Sequence, residues 1–367
     1  MKYAKKFEKL GLPEYFKFGI ELEAYNVKTK GENSLYTGES AEYIKSKNWH
    51  MATKSEERLV EEGGAELVSP ILKDDEQCWE DVFVMCEQME KFPGDKGDKV
   101  VADEKCGLHI HFDADCLMQD SNKMKNFLRL YSESEELLYK MCNDKGEPLR
   151  KGAIYRDLKG VLRMVTAIWR KGMAVPTGKK ILKKIEDGTL KVSYKKFGKM
   201  KMLASKYKLD ERRYAGLNLS NIGNSQKNTI EFRMANGTLE PEVIKQNVFL
   251  YASLISTAIQ MTDNPELYQD RLSTFYQTDV TEKEKAENFL NLIMEKPEDR
   301  KIYMDRWESV KQAQVFQEND RKGFAQNRFK REQFRQIAMR TPADRVHSAY
   351  NRIKKMTKDK GAVAYDR

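Results

Sequence analysis

Residues 17–25 read KFGIELEAY, and the alternation within this stretch decides the type of fold. The apolar positions are Phe18, Ile20, Leu22 and Ala24. The positions between them are Lys17, Gly19, Glu21, Glu23 and Tyr25. Because side chains of a strand point alternately to its two faces, this pattern predicts a half-buried strand. One face would lie on a core, and the other would present two carboxylates.

Further segments repeat this combination of an apolar and a polar face. Strands are predicted at residues 64–69 (GAELVS), 107–113 (GLHIHFD) and 228–235 (NTIEFRMA). Helical spacing of apolar residues predicts helices at 74–91, 121–141 and 240–262. Strands and helices in this mixture predict an α+β or a mixed α/β fold, and we adopt α+β.

The C-terminal third differs in composition from the rest of the chain. From about residue 264 the pattern predicts successive polar, basic helices and no strand, so a domain boundary is predicted near residues 263–265. This divides the chain into a main domain, 1–263, and a basic helical region, 264–367. A smaller basic helical insertion is predicted at about 143–210, between the third and fourth strands.

Composition limits the class of protein. Of the 367 residues, 40% are hydrophobic and 34% are charged, which is typical of a folded globular protein. The first residues lack the apolar segment of a signal peptide, and no stretch approaches the roughly 20 apolar residues of a membrane span. Five cysteines without a CxxC pair argue against a zinc ribbon or a secreted disulfide framework. We therefore expect a cytoplasmic protein with reduced thiols.

The net charge of +9 is concentrated in two basic segments, residues 179–208 and 321–360. Such runs usually form solvated helix faces, and the alternative is a surface for an acidic partner or nucleic acid. Phenylalanines lie among the arginines of the second segment, at Phe324, Phe329 and Phe334. They could stack on bases, but their spacing also fits the buried side of a helix.

The polar faces of the predicted strands carry pairs of reactive side chains. Glu21 and Glu23 are two residues apart, which places their carboxylates on one face about 6–7 Å apart. His109 and His111 have the same spacing, and they are two of only four histidines in the chain. Either pair alone is weak evidence for a site, because charged strand faces and structural histidines are common.

The remaining two strands add further groups. Glu231 and Arg233 share a face of the last strand, and Glu66 lies in the 64–69 strand. Convergence of several carboxylates and imidazoles, without a cysteine ligand set, favours a hard cation such as Mg²⁺, with Mn²⁺ as the alternative. An arginine beside such a cation suggests a bound phosphate group.

Five motifs in this order, FGIELE, AELVSP, CGLHIHFD, RRYAGLNLS and TIEFRMANGTL, resemble the amidoligase family, which belongs with glutamine synthetase and glutamate–cysteine ligase. The resemblance covers roughly residues 16–260. It implies a glutamine synthetase-like fold, in which a curved, largely antiparallel sheet forms a funnel with flanking helices. It also implies an ATP- and Mg²⁺-dependent ligase: ATP phosphorylates a carboxylate, and an amine displaces phosphate to give an amide or isopeptide bond, with ADP as the nucleotide product.

The resemblance also implies roles for individual residues. Glu23 and Glu66 match the ligands of one metal ion. A second metal ion, which bridges the nucleotide phosphates, matches Glu21, His109 and Glu231. His111 matches a phosphate contact, and Arg233 matches the arginine that stabilises the transferred phosphoryl group.

The segment before the last strand carries further candidates. Arg212, Arg213 and Asn218 could hold a substrate carboxylate or a phosphate, and the choice between the two arginines is open. Where the family commonly has Asp-x-Ser ahead of the ELVSP strand, this chain has Thr53-Lys54-Ser55. The group that would hold or deprotonate the amine is therefore not identified.

Two other functions compete with the ligase. One is a nucleic-acid-binding or regulatory protein on a catalytically vestigial ligase fold, and the other is metal-dependent hydrolysis or nucleotidyl transfer. Intact charges at Glu21, Glu23, His109 and Glu231 argue against the vestigial alternative. The acid and amine substrates are left open between amino acid, peptide, protein side chain, polyamine and modified nucleic acid. The sequence also leaves the oligomeric state open, with self-association as one alternative.

Overall fold

The computed structural model describes part of the chain. The described residues are 7–32, 34–52, 64–94, 99–104, 106–144, 147, 216–219, 221–222 and 227–309. They belong to a compact unit that spans Met1–Val310. Most of the predicted insertion and the chain after residue 309 lie outside these ranges.

The described strands form a six-stranded antiparallel sheet. The strands are β1 (Phe18–Ala24), β2 (His50–Met51), β3 (Ala65–Val68), β4 (Gly107–Asp113), β5 (Leu217–Asn218) and β6 (Thr229–Asn236). Their order across the sheet is β2-β3-β1-β4-β6-β5. The four predicted strands are confirmed as the central four, and the two short edge strands were not predicted.

Helices flank the sheet, so the predicted α+β class is confirmed. They are α1 (Gly38–Ser46), α2 (Glu76–Glu90), α3 (Asp115–Met118), α4 (Ser121–Met141), α5 (Pro241–Asp263), a 3₁₀ helix (Pro265–Tyr268), α6 (Gln269–Phe275), α7 (Glu282–Ile293) and α8 (Pro297–Ser309). The Asp75 side chain accepts from the backbone N–H of Cys78 at 2.8 Å and so caps the start of α2. Within the described ranges, no helix has the length and apolar character needed to cross a bilayer.

The core lies between the apolar face of the sheet and the helices. Phe18 of β1 stacks on Trp79 of α2 with ring centroids 5.7 Å apart. Phe232 of β6 stacks on Tyr251 of α5 at 4.2 Å, with the rings nearly parallel. All five cysteines are buried thiols. Burial of these aromatic side chains stabilises the packing of the sheet on the helices, and this packing supports the polar face of the same strands.

The helices after residue 264 pack on the helices before it. Tyr303 of α8 donates its hydroxyl to the backbone oxygen of Gln246 at 2.7 Å, and Arg306 reaches the backbone oxygen of Met141 at 3.4 Å. Phe275 and Phe289 lie in the same core as the sheet. The compact unit therefore continues past the boundary predicted near residue 263. The assignment of residues 1–263 as a catalytic domain and of 264–367 as a basic helical region stays a prediction.

Candidate active site

Strand register brings the predicted reactive side chains onto one area of the sheet. Cα pairing places Glu21 opposite His109, Glu23 opposite Glu66, and His111 opposite Glu231. Because directly paired residues in a sheet project to the same face, these pairs form a continuous polar surface across β3, β1, β4 and β6.

Glu21 lies at the centre of this surface. Its two carboxylate oxygens contact His109 Nδ1 at 2.9 Å and His111 Nε2 at 3.0 Å. Burial alone would raise the pKa of Glu21, but the hydrogen bonds to both imidazoles hold the pKa well below its usual range. An ionised carboxylate only accepts hydrogen bonds, so both ring nitrogens donate. Burial lowers the pKa of His111, and the hydrogen bond with Glu21 outweighs this and raises it.

Both carboxylate oxygens of Glu231 accept hydrogen bonds from neighbouring side chains. Arg233 donates to Oε1, and the amide nitrogen of Asn218 donates to Oε2 at 2.6 Å. Asn218 and Glu231 are also direct partners in the pairing of β5 with β6. Burial raises the pKa of Glu231, but the charge of Arg233 and then those of the histidines lower it overall. Glu231 therefore carries its negative charge in a buried position.

Glu23 and Glu66 form the other side of the surface. Glu23 accepts a hydrogen bond from the backbone N–H of Gly107, and its other oxygen lies 3.6 Å from His109 Nε2. Burial, together with the charges of Glu21 and Glu23, raises the pKa of Glu66 to about 8. Like charges are therefore crowded here beyond what the described positive groups neutralise.

A bulge and a close backbone contact shape the end of β6. The register with β4 shifts between Leu108 and Ile110, so Arg233 and Met234 both lie opposite His109. A side chain at Gly237 would place its Cβ 2.3 Å from the Cβ of Cys106. Glycine is therefore required where the chain leaves β6 beside the Gly107 amide that holds Glu23.

The described side chains fit a divalent cation. Two groups of potential ligand atoms, each within 4.8 Å of one another, are Glu21–Glu66–His109 and Glu21–His111–Glu231. Carboxylate oxygens with an imidazole suit Mg²⁺ or Mn²⁺, and a cation would relieve the crowding that raises the pKa of Glu66. These groups share Glu21 and divide the ligands differently from the two metal sites that the resemblance implies, so that division stays a prediction.

Most of the predicted site residues come together, and their individual roles stay predictions. The surface contains Glu21, Glu23, Glu66, His109, His111, Asn218, Glu231 and Arg233. Arg212, Arg213 and the Thr53-Lys54-Ser55 segment lie outside the described residues. Sequence reasoning missed the Gly107 amide and the Thr229 hydroxyl, which lies 3.4 Å from His111 Nδ1. Thr229 could have been found, because alternation places it on the face of Glu231 and Arg233.

Comparison with known proteins identifies the family. Residues 15–255 match the model of a family described as "Putative amidoligase enzyme". A solved structure, a bifunctional glutathione synthetase from Pasteurella multocida, is similar over 83% of this chain and 47% of that one, with 13% identity and a TM-score of 0.38. This chain thus spans about half the length of that protein, and no curated protein matches it significantly. The family match covers well over half of the sequence and confirms the predicted resemblance: the chain belongs to the amidoligase family.

Proposed function

We propose that this protein is an ATP- and Mg²⁺-dependent carboxylate–amine ligase that forms an amide or isopeptide bond and releases ADP and phosphate. The observation that carries the proposal is the polar surface itself, where Glu21 is shared by two potential cation sites and Arg233 lies alongside. Membership of the amidoligase family supports the same reaction class. A glutamine synthetase-like funnel is part of this proposal, and the antiparallel sheet is compatible with it.

The reaction needs two displacements. In the first, an oxygen of the acid substrate attacks the terminal phosphorus of ATP, the bond to the bridging oxygen breaks, and ADP leaves with its electron pair. In the second, the amine attacks the carbonyl carbon of the acyl phosphate, loses a proton, and expels inorganic phosphate. Neither step requires a nucleophile from the protein, so positioning and charge neutralisation are the protein's main tasks.

The described residues are suited to those tasks. When bound, Mg²⁺ would neutralise the nucleotide phosphates and polarise them towards attack. The ligand atoms for the cation would come from Glu21, Glu23, Glu66, His109 and Glu231. Arg233 is held against Glu231 and provides a fixed positive charge for the phosphoryl group in transfer. His111 is proposed to contact phosphate, as the family resemblance implies. Strand pairing already orients the potential metal ligands and the positively charged groups, so little reorganisation of these side chains is needed during the reaction.

The substrates are proposed only by class. The basic segments at 179–208 and 321–360 favour a large or acidic acceptor, such as a protein, a peptide or a modified nucleic acid. Contacts of this kind are screened by salt, so acceptor affinity should fall between about 0.05 M and 0.2 M NaCl. An affinity that does not respond to salt would contradict this acceptor class and favour a small amine.

A trapping assay tests the proposed reaction. Purified protein is incubated with ATP, Mg²⁺, a panel of carboxylic acids and hydroxylamine, which intercepts an acyl phosphate as a hydroxamate. We expect ADP and hydroxamate in equal amounts, lost in Glu231→Ala and retained in the control Glu308→Ala, which removes an exposed carboxylate on α8. AMP and pyrophosphate as products would contradict the proposal and indicate adenylation.

A further inference from the structure

Gly19 is a residue of the polar face at which the described part of the fold has room for a side chain. It lies in β1, two residues before Glu21, and alternation places both on the same face. Its backbone is extended and does not enter the left-handed region. Among the described residues, a Cβ at Gly19 would meet nothing closer than the Ser69 Oγ at 3.7 Å and the Cβ of His111 at 3.9 Å. These are ordinary contact distances, so alanine would fit.

Gly237 shows the opposite case. A Cβ at this position would collide with the Cβ of Cys106, so the packing of the chain requires glycine there. Glycine inside a strand is otherwise unfavourable, because it loses more conformational freedom on folding than alanine does and offers no side chain to pack. Gly19 therefore needs an explanation other than packing within the described sheet.

The side chains around Gly19 are anchored by their own contacts. The Oγ of Ser69 accepts a hydrogen bond from the backbone N–H of Ile20 at 2.8 Å, and Nε2 of His111 lies 3.0 Å from Oε1 of Glu21. These contacts keep the neighbouring side chains at the border of Gly19, so a recess is left above its backbone. Gly19 is partly exposed, as are Glu21 and His111 beside it, so a ligand can enter this recess.

The recess borders one of the two potential cation sites. Glu21 and His111 form, with Glu231, a group whose ligand atoms lie within 4.8 Å of one another. In the proposed reaction the cation also binds the nucleotide phosphates, whose oxygens enter its first coordination shell. A phosphate chain on this cation would therefore cross the polar face next to Gly19, where a side chain would compete with it for space.

We propose that Gly19 is a ligand-contact position, at which the polyphosphate chain of a cation-bound nucleotide passes over the strand backbone. The inference rests on the proposed function for the presence of the nucleotide, and it deepens that function by naming the part of the nucleotide that covers the recess. A larger residue at position 19 should exclude the phosphates while it leaves every potential metal ligand in place. The acid substrate is the competing occupant.

Binding measurements separate the two occupants. Calorimetric titrations in Mg²⁺ compare wild type, Gly19→Ala and Gly19→Val for ATP and for tripolyphosphate, which carries the phosphates alone. Gly19→Ala should weaken both about tenfold, as one overpacked carbon would, and Gly19→Val should weaken both further. Wild-type ATP affinity in both variants would overturn the inference and favour the acid as occupant. Weaker ATP binding without weaker tripolyphosphate binding would overturn it in favour of the nucleoside.

Stability and metal binding show whether the variants act through the ligand. Without ligand, Gly19→Ala should melt at or above the wild-type temperature, because alanine loses less conformational freedom, whereas Gly237→Ala should melt lower. Free Mn²⁺, measured by electron paramagnetic resonance, should report wild-type affinity in Gly19→Ala. Lower stability or weaker Mn²⁺ binding in Gly19→Ala would overturn the inference, because the added carbon would then act on the fold or on the metal ligands.

Failure of the proposed function gives a different result. Wild-type protein that does not bind ATP in the presence of Mg²⁺ would contradict the ligase site and the inference together. Wild-type protein that binds ATP but yields no hydroxamate in the trapping assay would contradict the ligase reaction alone. In that case the ATP and tripolyphosphate affinities of the Gly19 variants still decide the inference.

Discussion

The two faces of the sheet are built from alternate residues of the same strands, and they serve opposite purposes. Glu231 and Phe232 are neighbours on β6, and both are almost fully buried. Phe232 stacks on Tyr251 and stabilises the fold, whereas Glu231 keeps its charge through Arg233 and Asn218. Residues that stabilise the core and residues of the candidate site therefore alternate along the strand and lie on opposite faces. Each face can be altered with limited effect on the other.

Replacement on the polar face should have the largest effect. Glu231→Ala is expected to lower ATP turnover by about 10³-fold or more, because a cation ligand and the partner of Arg233 are lost together. Far-UV circular dichroism should show an intact fold. Turnover is measured as ADP release per folded molecule, and activity near that of wild type would show that the site is misplaced.

Replacement of Phe232, the neighbour of Glu231 on the apolar face, should lower stability and leave the metal site intact. Phe232→Ala should lower the free energy of unfolding by about 3–5 kcal/mol, because a fully buried ring is removed from the contact between sheet and helices. The free energy is obtained from urea denaturation. Molecules that remain folded at low temperature should still bind Mn²⁺, and a loss of binding without a loss of stability would contradict the separation of the two faces.

The acidic surface should make the metal-free protein sensitive to pH. The pKa of Glu66 in the folded state, about 8, lies above that of an unfolded glutamate, so its contribution to stability is present at low pH and is lost as pH rises through 8. The raised pKa of His111 acts in the same direction, and Glu21, with its lowered pKa, is ionised throughout. Between pH 6 and pH 9 the melting temperature should fall by roughly 5 °C.

Added Mg²⁺ supplies the control for that experiment. The cation prefers ionised carboxylates, so the rise in melting temperature that it causes should be greater at pH 9 than at pH 6. Glu66→Gln should reduce both the pH dependence and the effect of Mg²⁺. Equal Mg²⁺ effects at the two pH values would argue that Glu66 is not a ligand.

A smaller effect is expected at Asn218. Because its amide nitrogen holds Glu231, Asn218→Ala should weaken Mn²⁺ binding about tenfold and affect nucleotide binding through the metal. Calorimetry with ADP in the absence of metal distinguishes this from direct contact. A loss of metal-free nucleotide affinity would instead support the substrate- or phosphate-binding role predicted from the sequence.

Much of this arrangement follows from the sequence because its strongest signals are local. The four central strands carry period-two patterns of four or more residues, and three of the helices carry long apolar stripes, so both types were predicted. The polar surface followed from the same alternation, because residues on one face of paired strands must meet.

The remaining features depend on contacts distant in sequence. Two-residue strands such as β2 and β5 show no period, and α1 begins at Gly38 without a side-chain cap. The hydrogen bond from Asn218 to Glu231 depends on the register between β5 and β6. The bulge at Arg233 is an irregularity in the register between β4 and β6.

Calorimetric titration with ATP, with and without Mg²⁺, shows whether the polar surface binds a metal–nucleotide complex, and it requires no knowledge of the acid or the amine. Wild type and Glu231→Ala are compared, with Glu308→Ala as the control for loss of a carboxylate. We expect ATP binding that depends on Mg²⁺, is lost in Glu231→Ala and is retained in Glu308→Ala. Well-folded wild-type protein that does not bind ATP in the presence of Mg²⁺ would contradict the proposed ligase site.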